Sequence, residues 1–242
     1  VDKLVNLLKE SKYVVALTGA GISTLSGIKD FRGKDGLYKQ KNADKIFDID
    51  WFFKDPSIYY TAAKDFLYNM QDVSPSVVHK ELARLEEKGK LKAVITQNID
   101  VLHQEAGSKK VLPLHGSLGK HICIKCSATI SFEEVAAIVN TGKVPCCSKC
   151  NAVFRPDIVF FGESLPTDVL LEARTEASKA DLMLILGSTL VVNPAAMVPG
   201  YTLQNGGKIV IVNNMGTYLD ERATLIYEDL GEVFHYLSEN FS

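Results

Sequence analysis

The chain has 242 residues, 46% hydrophobic and 23% charged, with a formal net charge of −2. This is the composition of a soluble globular protein long enough for one large domain or a domain with an insert. It gives no electrostatic case for nucleic acid or a membrane surface as main partner, and no apolar run approaches the roughly 20 residues that span a bilayer.

In chain order, residues 3–10 place Leu4, Val5, Leu7 and Leu8 at helical spacing. No charged segment with an apolar core opens the chain, so no secretory leader is expected. Tyr13–Leu17 reads as a buried strand running into Gly19-Ala20-Gly21-Ile22-Ser23, with a helix expected from about Ala20 whose N–H groups face a ligand. Asp30-Phe31-Arg32-Gly33 opens a polar loop able to close over a ligand. Residues 57–70 and 76–88 read as helices, the second with Ser74 as N-cap, Pro75 in the first turn and Gly89 past the end.

Leu91–Ile95 reads as a strand entering Thr96-Gln97-Asn98-Ile99-Asp100, followed by Leu114-His115-Gly116. Residues 119–155 carry all five cysteines and a short helix near Phe132–Val139. Ile158–Phe161 returns to apolar chain before Gly162-Glu163. A helix over about 167–178 leads to strand Leu182–Leu186, then Gly187-Ser188-Thr189. Lys208–Val212 is another strand, ending in Asn213-Asn214, and a last helix covers about 230–239. Buried strands alternating with helices predict an α/β fold with a parallel sheet. Small or polar residues after each strand then fall where the crevice of such a sheet binds ligands.

Cys123-x-x-Cys126 and Cys147-x-x-Cys150 suit a tetrahedral zinc thiolate site. Four thiolates leave no open position, so the zinc is expected to be structural and to fold a module with little core of its own. Cys146 would replace Cys147 only through an awkward spacer. Clustered thiols imply a reducing compartment, so a cytoplasmic location is expected. Gly19-x-Gly21-x-x-Thr24 departs from the usual dinucleotide fingerprint, and no acidic residue ends a second strand, which counts against a dehydrogenase. A plain glycine turn is the alternative. His115 is suited to general-base work or to a structural role. Asn98 and Asp100 suit ribose or carboxamide binding, or a helix cap.

Together and in this order, these motifs resemble the sirtuin family of NAD-dependent protein deacylases, from residue 17 to about 213. The resemblance implies a Rossmann-like parallel sheet with helices on both faces, plus an inserted zinc-binding domain and a helical module. Its Rossmann-like part would be 1–31, 90–118 and 156–242, its cofactor loop and helical module 32–89, and its zinc module 119–155. NAD would be a consumed co-substrate: acyl-lysine oxygen attacks C1′ of the nicotinamide ribose, nicotinamide leaves, and the acyl group passes to ADP-ribose.

By the same resemblance His115 is the base, acting with Asn98 and Asp100, which hold ribose and nicotinamide. Ala20, Thr24, Phe31, Arg32, Gln97, Ile99, Ser188, Thr189 and Asn213 would complete the NAD site. Val159, Phe161, Gly162, Glu163, Val192 and Asn193 would hold an acetyl-lysine peptide. Mono-ADP-ribosyl transfer, or removal of other acyl groups, is the alternative. Acid-preferring members carry a Tyr-x-x-Arg pair. Tyr60 with Ala63 lacks the cation, so deacetylation is expected over desuccinylation.

Overall fold

The computed structural model describes residues 1–30, 43–69 and 73–241. Its strands are β1 (Val14–Thr18), β2 (Leu91–Thr96), β3 (Val111–Pro113), β4 (Gly116–Cys123), β5 (Thr129–Ser131), β6 (Phe154–Ile158), β7 (Leu182–Leu186), β8 (Lys208–Val212) and β9 (Leu225–Tyr227). The helices are α1 (Asp2–Glu10), α2 (Gly21–Thr24), α3 (Ala43–Ile46), α4 (Ile49–Lys54), α5 (Pro56–Ala63), α6 (Val77–Glu87), α7 (Leu102–Glu105), α8 (Phe132–Asn140), α9 (Thr167–Lys179), α10 (Val198–Gln204) and α11 (Leu230–Asn240).

Six strands form one sheet in the order β3-β2-β1-β7-β8-β9, every pairing parallel. Alternate residues of a strand face opposite ways. Val14 and Ala16 therefore join Leu184 and Val210 in a core under α1, α6 and α11, while Val15 and Leu17 join Ile185 and Ile211 under α9 and α10. Burial on both faces explains why these strands read as unbroken apolar runs. The chain winds outward from the centre in both directions, so the strand order reverses between β1 and β7. Ligands bind at such a switch point in open α/β sheets.

A second sheet, β5-β4-β6, is antiparallel. The apolar chain near Ile158 belongs here: the strand is 154–158, and residues 159–163 leave it as a loop. Helix α8 is closed by a reciprocal cap between Ser131 and Glu134. It packs with Leu118 and Ile158 against Phe47, Phe52, Tyr59 and Tyr60 of the α3–α5 segment, in one shared core.

Helix α5 begins where Asp55 accepts the Ser57 N–H and Pro56 sets the first turn. It passes into a π-helical turn over Lys64–Tyr68, so the helix expected over 57–70 changes type within that span. The N-cap of α6 is Ser76, not Ser74, because His79 at the third helical position returns a bond to the Ser76 N–H. Although grouped by sequence with the helical module, α6 packs on the large sheet through Val78, Leu82 and Leu85. No described helix is long and apolar enough to cross a membrane.

Candidate active site

The glycines of the first turn serve mainly to bring backbone against backbone. A Cβ on Gly19 would lie 2.7 Å from the Gly187 carbonyl oxygen, one on Gly21 2.7 Å from Gly187 Cα, and one on Gly187 2.6 Å from the Ile22 nitrogen. Only Gly187 has a positive φ, +62°. The loops after β1 and β7 thus close on each other at the switch point. Helix α2 is a single turn. Its neighbouring N–H groups are spent within the protein: Gly19 on Leu186, Gly21 on Gly187, Ile22 on Gly19 and Ser23 on Ala20. The expectation that this helix end offers a row of N–H groups to a ligand is therefore corrected.

A cavity of about 900 Å³ opens over the strand ends. Gln97 Nε2 donates to Ser188 Oγ across 2.8 Å, tying the end of β2 to that of β7. Asn98, 8% exposed, donates to Gly19 O and Ser23 Oγ. Ser23 in turn donates to Asp100 Oδ2 at 2.6 Å. The other Asp100 oxygen accepts the Leu102 N–H at the start of α7. Burial raises the Asp100 pKa against these bonds. Of the two sequence alternatives for Asp100, the local one is seen in part: it accepts the first N–H of α7, whose N-cap is Val101, and through Ser23 it braces the cavity floor.

His115 lies on the cavity wall, its Nδ1 2.8 Å from the Gln97 carbonyl. A carbonyl only accepts, so Nδ1 carries the hydrogen and Nε2 is the basic nitrogen of the neutral ring. The turn that places His115 needs glycine next: Gly116 has φ +74°, and a Cβ there would sit 2.2 Å from the Asp157 carbonyl oxygen.

Phe161, Gly162 and Glu163 form one rim, Val191, Val192 and Asn193 the other. Phe161 is bound to the helical segment by its N–H to Phe47 O and by its carbonyl to the Ile49 N–H. Glu163 receives two bonds from Arg155 and one from the Phe160 N–H. Burial would raise its pKa, but these donors hold it below the usual carboxylate range. The side chain of Glu163 therefore anchors the loop from beneath.

In the small sheet, the four Sγ atoms of Cys123, Cys126, Cys147 and Cys150 lie within 4.8 Å of one another. The pairs Cys123–Cys150 and Cys126–Cys147 are 3.4 and 3.6 Å apart. Four sulfurs about 2.3 Å from a zinc would stand about 3.8 Å apart, so the cluster fits the ion. Each Cys-x-x-Cys turn ends in a residue at φ 57°, Ser127 or Asn151. Each also repeats the same bonds: Cys123 and Cys147 donate to Ala128 and Ala152 and accept from Ser127 and Asn151. The Cys126 N–H does most to pull the Cys123 thiol down to about 6, against burial. Exposed Cys146 is not in the cluster; its backbone instead bridges to Val153.

Ala20, Thr24, Gln97, Asn98, Ile99, His115, Val159, Phe161, Gly162, Glu163, Val192, Asn193, Ser188, Thr189 and Asn213 all line the cavity. Asp100 stands behind it. Phe31 and Arg32 lie outside the described residues. Tyr60 and Ala63 do not line it; the Tyr60 hydroxyl donates to Phe154 O. The Tyr-x-x-Arg argument therefore loses its geometric basis. The described wall carries the carboxylates Asp30, Glu163, Glu228 and Asp229. Sequence reasoning missed Phe47; near Asp229 and Leu230 it expected contacts without fixing which, and Glu228–Gly231 form the wall there. Strand β9, which leads into that wall, has three residues and no periodicity to read.

A six-stranded sheet with its cavity at the switch point, joined to a thiolate-metal module, defines a nucleotide-binding protein of Rossmann type. The Sir2 family model matches residues 19–194, and the chain belongs to that family. The NAD-dependent protein deacetylase of Thermotoga maritima is 51% identical over 227 residues, covering 94% of this chain and 92% of its own. NAD-dependent protein deacylase 2 of Archaeoglobus fulgidus is 42% identical over 91% of this chain and 87% of its own. A Sir2 solved with a p53 peptide and NAD+ superposes at TM-score 0.90 with 48% identity, over 98% of this chain and 96% of that one. Another, bound to a propionylated peptide, gives 0.90 and 46% over 100% and 99%.

Proposed function

We propose that this chain is an NAD-dependent protein-lysine deacetylase that yields free lysine, nicotinamide and O-acetyl-ADP-ribose. The observation that carries the reading is His115, held by Gln97 on the wall of a cavity whose floor is the Gly19–Asn98–Ser188 junction. Its basic Nε2 is suited to take a proton from a ribose hydroxyl, which lets that oxygen attack the acyl carbon. Asn98 and, behind it, Asp100 hold the ribose and nicotinamide. Ala20, Thr24, Gln97, Ile99, Ser188, Thr189 and Asn213, with Phe31 and Arg32, complete the NAD site.

The two rims, Phe161–Glu163 and Val191–Asn193, receive an acyl-lysine peptide as an added strand, with Val159 beside the acyl-lysine. An acetyl or propionyl group suits this wall better than a succinyl group, whose carboxylate would meet Asp30, Glu163, Glu228 and Asp229. The four-cysteine cluster holds structural zinc; with no open position, the metal stays out of the reaction. We assign 119–155 to the zinc module and 32–89 to the cofactor loop and helical module, except that α6 within it packs with the large sheet, and the Rossmann-like domain is built from the rest. A cytoplasmic location goes with reduced metal-binding thiols. Mass spectrometry of products from NAD+ and an acetyl-lysine peptide tests the reading. O-acetyl-ADP-ribose supports it; ADP-ribosylated protein without deacetylation would identify an ADP-ribosyltransferase instead.

A further inference from the structure

Two imidazoles buried beneath the cavity floor take no part in the chemistry above. His79 of α6 and His103 of α7 are 0% and 1% exposed, with ring centroids 4.7 Å apart in an edge-on arrangement. His79 Nδ1 accepts the Ser76 N–H, so the hydrogen of the neutral ring is on Nε2. His103 Nε2 lies 2.9 Å from Thr18 Oγ1. Thr18 spends its own hydrogen on Thr96 Oγ1 at 2.8 Å. His103 Nε2 is therefore the donor, and its Nδ1 is bare. Thr96 Oγ1 also accepts the Asn98 N–H at 3.0 Å.

The two atoms left without a partner, His79 Nε2 and His103 Nδ1, are one donor and one acceptor. Burial keeps both rings neutral, taking His79 down to about 4 and His103 to about 3. The donors and acceptors run in one direction from His103 through Thr18 to Thr96, whose Oγ1 takes the Asn98 N–H, and the His79 ring packs edge-on against His103.

We propose that His103, backed by His79, is a positioning residue for the NAD step: through Thr18 and Thr96 it sets the height of Asn98 in the cavity floor. This rests on the assignment of Asn98 to the NAD site. It concerns the dinucleotide alone, since the bonds pass from Asn98 to Gly19, Ser23 and Asp100 and reach neither peptide rim.

The test uses the full zinc-loaded chain and measures KM for NAD+ and for acetyl-lysine peptide separately, together with the melting temperature. His103→Leu should raise KM for NAD+ about five- to tenfold, the size set by one buried hydrogen bond, and leave KM for peptide unchanged. His103→Gln keeps an amide donor at the position of Nε2 and should restore KM for NAD+ to within about twofold. Thr18→Val cuts the same link from its other side, should mimic His103→Leu, and decides the matter if His103→Leu does not fold. A wild-type KM for NAD+ in Thr18→Val, or equal impairment in His103→Gln and His103→Leu, overturns the proposal. A wild-type chain that does not consume NAD+ with peptide overturns the site assignment and this inference with it. An active wild type with an indifferent His103→Leu overturns this inference alone.

Discussion

The large parallel sheet and the small cysteine-bearing sheet solve the same problem in different ways. The large sheet buries both faces, and residues such as Val14, Leu17, Ile185 and Val210 are removed from solvent. Each such side chain contributes about 1.5–3 kcal/mol, so the sheet supports itself and leaves its strand ends for a ligand. Within the small sheet the cluster around the sulfurs is only Cys123, Cys147 and Phe154, with partly buried neighbours. That region takes its stability from a metal and from packing on the α3–α5 segment. Chemistry and stability are thus separated: the cavity lies on the self-supporting part, and the cysteine cluster holds a part that carries one of its rims through β6.

The comparison breaks first at His115. His115→Ala should lower deacetylation about 10²–10⁴-fold and leave the melting temperature and zinc content unchanged. A melting temperature that fell with activity would show that site and scaffold are not separable. Zinc removal, by chelation or Cys126→Ser, should instead lower stability first, with activity lost through the rim that β6 carries. The module would lose on the order of 10 kcal/mol of folding free energy. Hydrogen exchange should rise over residues 116–158 while strands 14–18 and 182–186 stay protected.

Gly187→Ala attacks the junction of the large sheet itself. The left-handed φ and the 2.6 Å approach to Ile22 should cost about 3 kcal/mol or more, read as a lower urea midpoint and weaker NAD+ binding.

Acid should weaken both regions over one window. His79 and His103 in the large domain and His121 in the small sheet are buried, and their folded pKa values fall to about 4, 3 and 4. Unfolded histidines bind protons near pH 6.5. The stability these groups give is therefore present above pH 6.5 and lost as pH falls from there toward 4. A urea midpoint unchanged between pH 7 and 5 would contradict this. The smallest effect belongs to Tyr60→Phe. Losing the bond to Phe154 O should cost about 1 kcal/mol without altering the ratio of acetyl to succinyl turnover. A changed ratio would return Tyr60 to the acyl pocket.

Much of the sheet was legible because a strand buried on both faces writes itself as an unbroken apolar run. Strands β7 and β8 have the bounds read from the sequence. The residues at strand ends were legible for a related reason: a parallel sheet has one carboxyl edge, so Gly19, Gln97, Asn98, Ser188 and Asn213 could be placed together before any coordinates. The cysteine spacing likewise named the metal cluster, since a four-residue turn delivers two sulfurs to one ion.

Other features came only from packing. The glycines of the first turn looked like ligand glycines, but they are required by Gly187, far along the chain. Asp100 takes bonds from both Ser23 and the start of α7. Tyr60 turned away from the cavity to bond a carbonyl of β6. The sequence pointed near Asp229 and Leu230 but not to which residues form the wall, because the strand before them is too short to show a period. Local pattern determined the elements and the edge they share, because periodicity and spacing act within a few residues. Tertiary structure decided which backbone touches which and where each buried polar atom finds its partner, because those contacts join residues that the sequence keeps far apart.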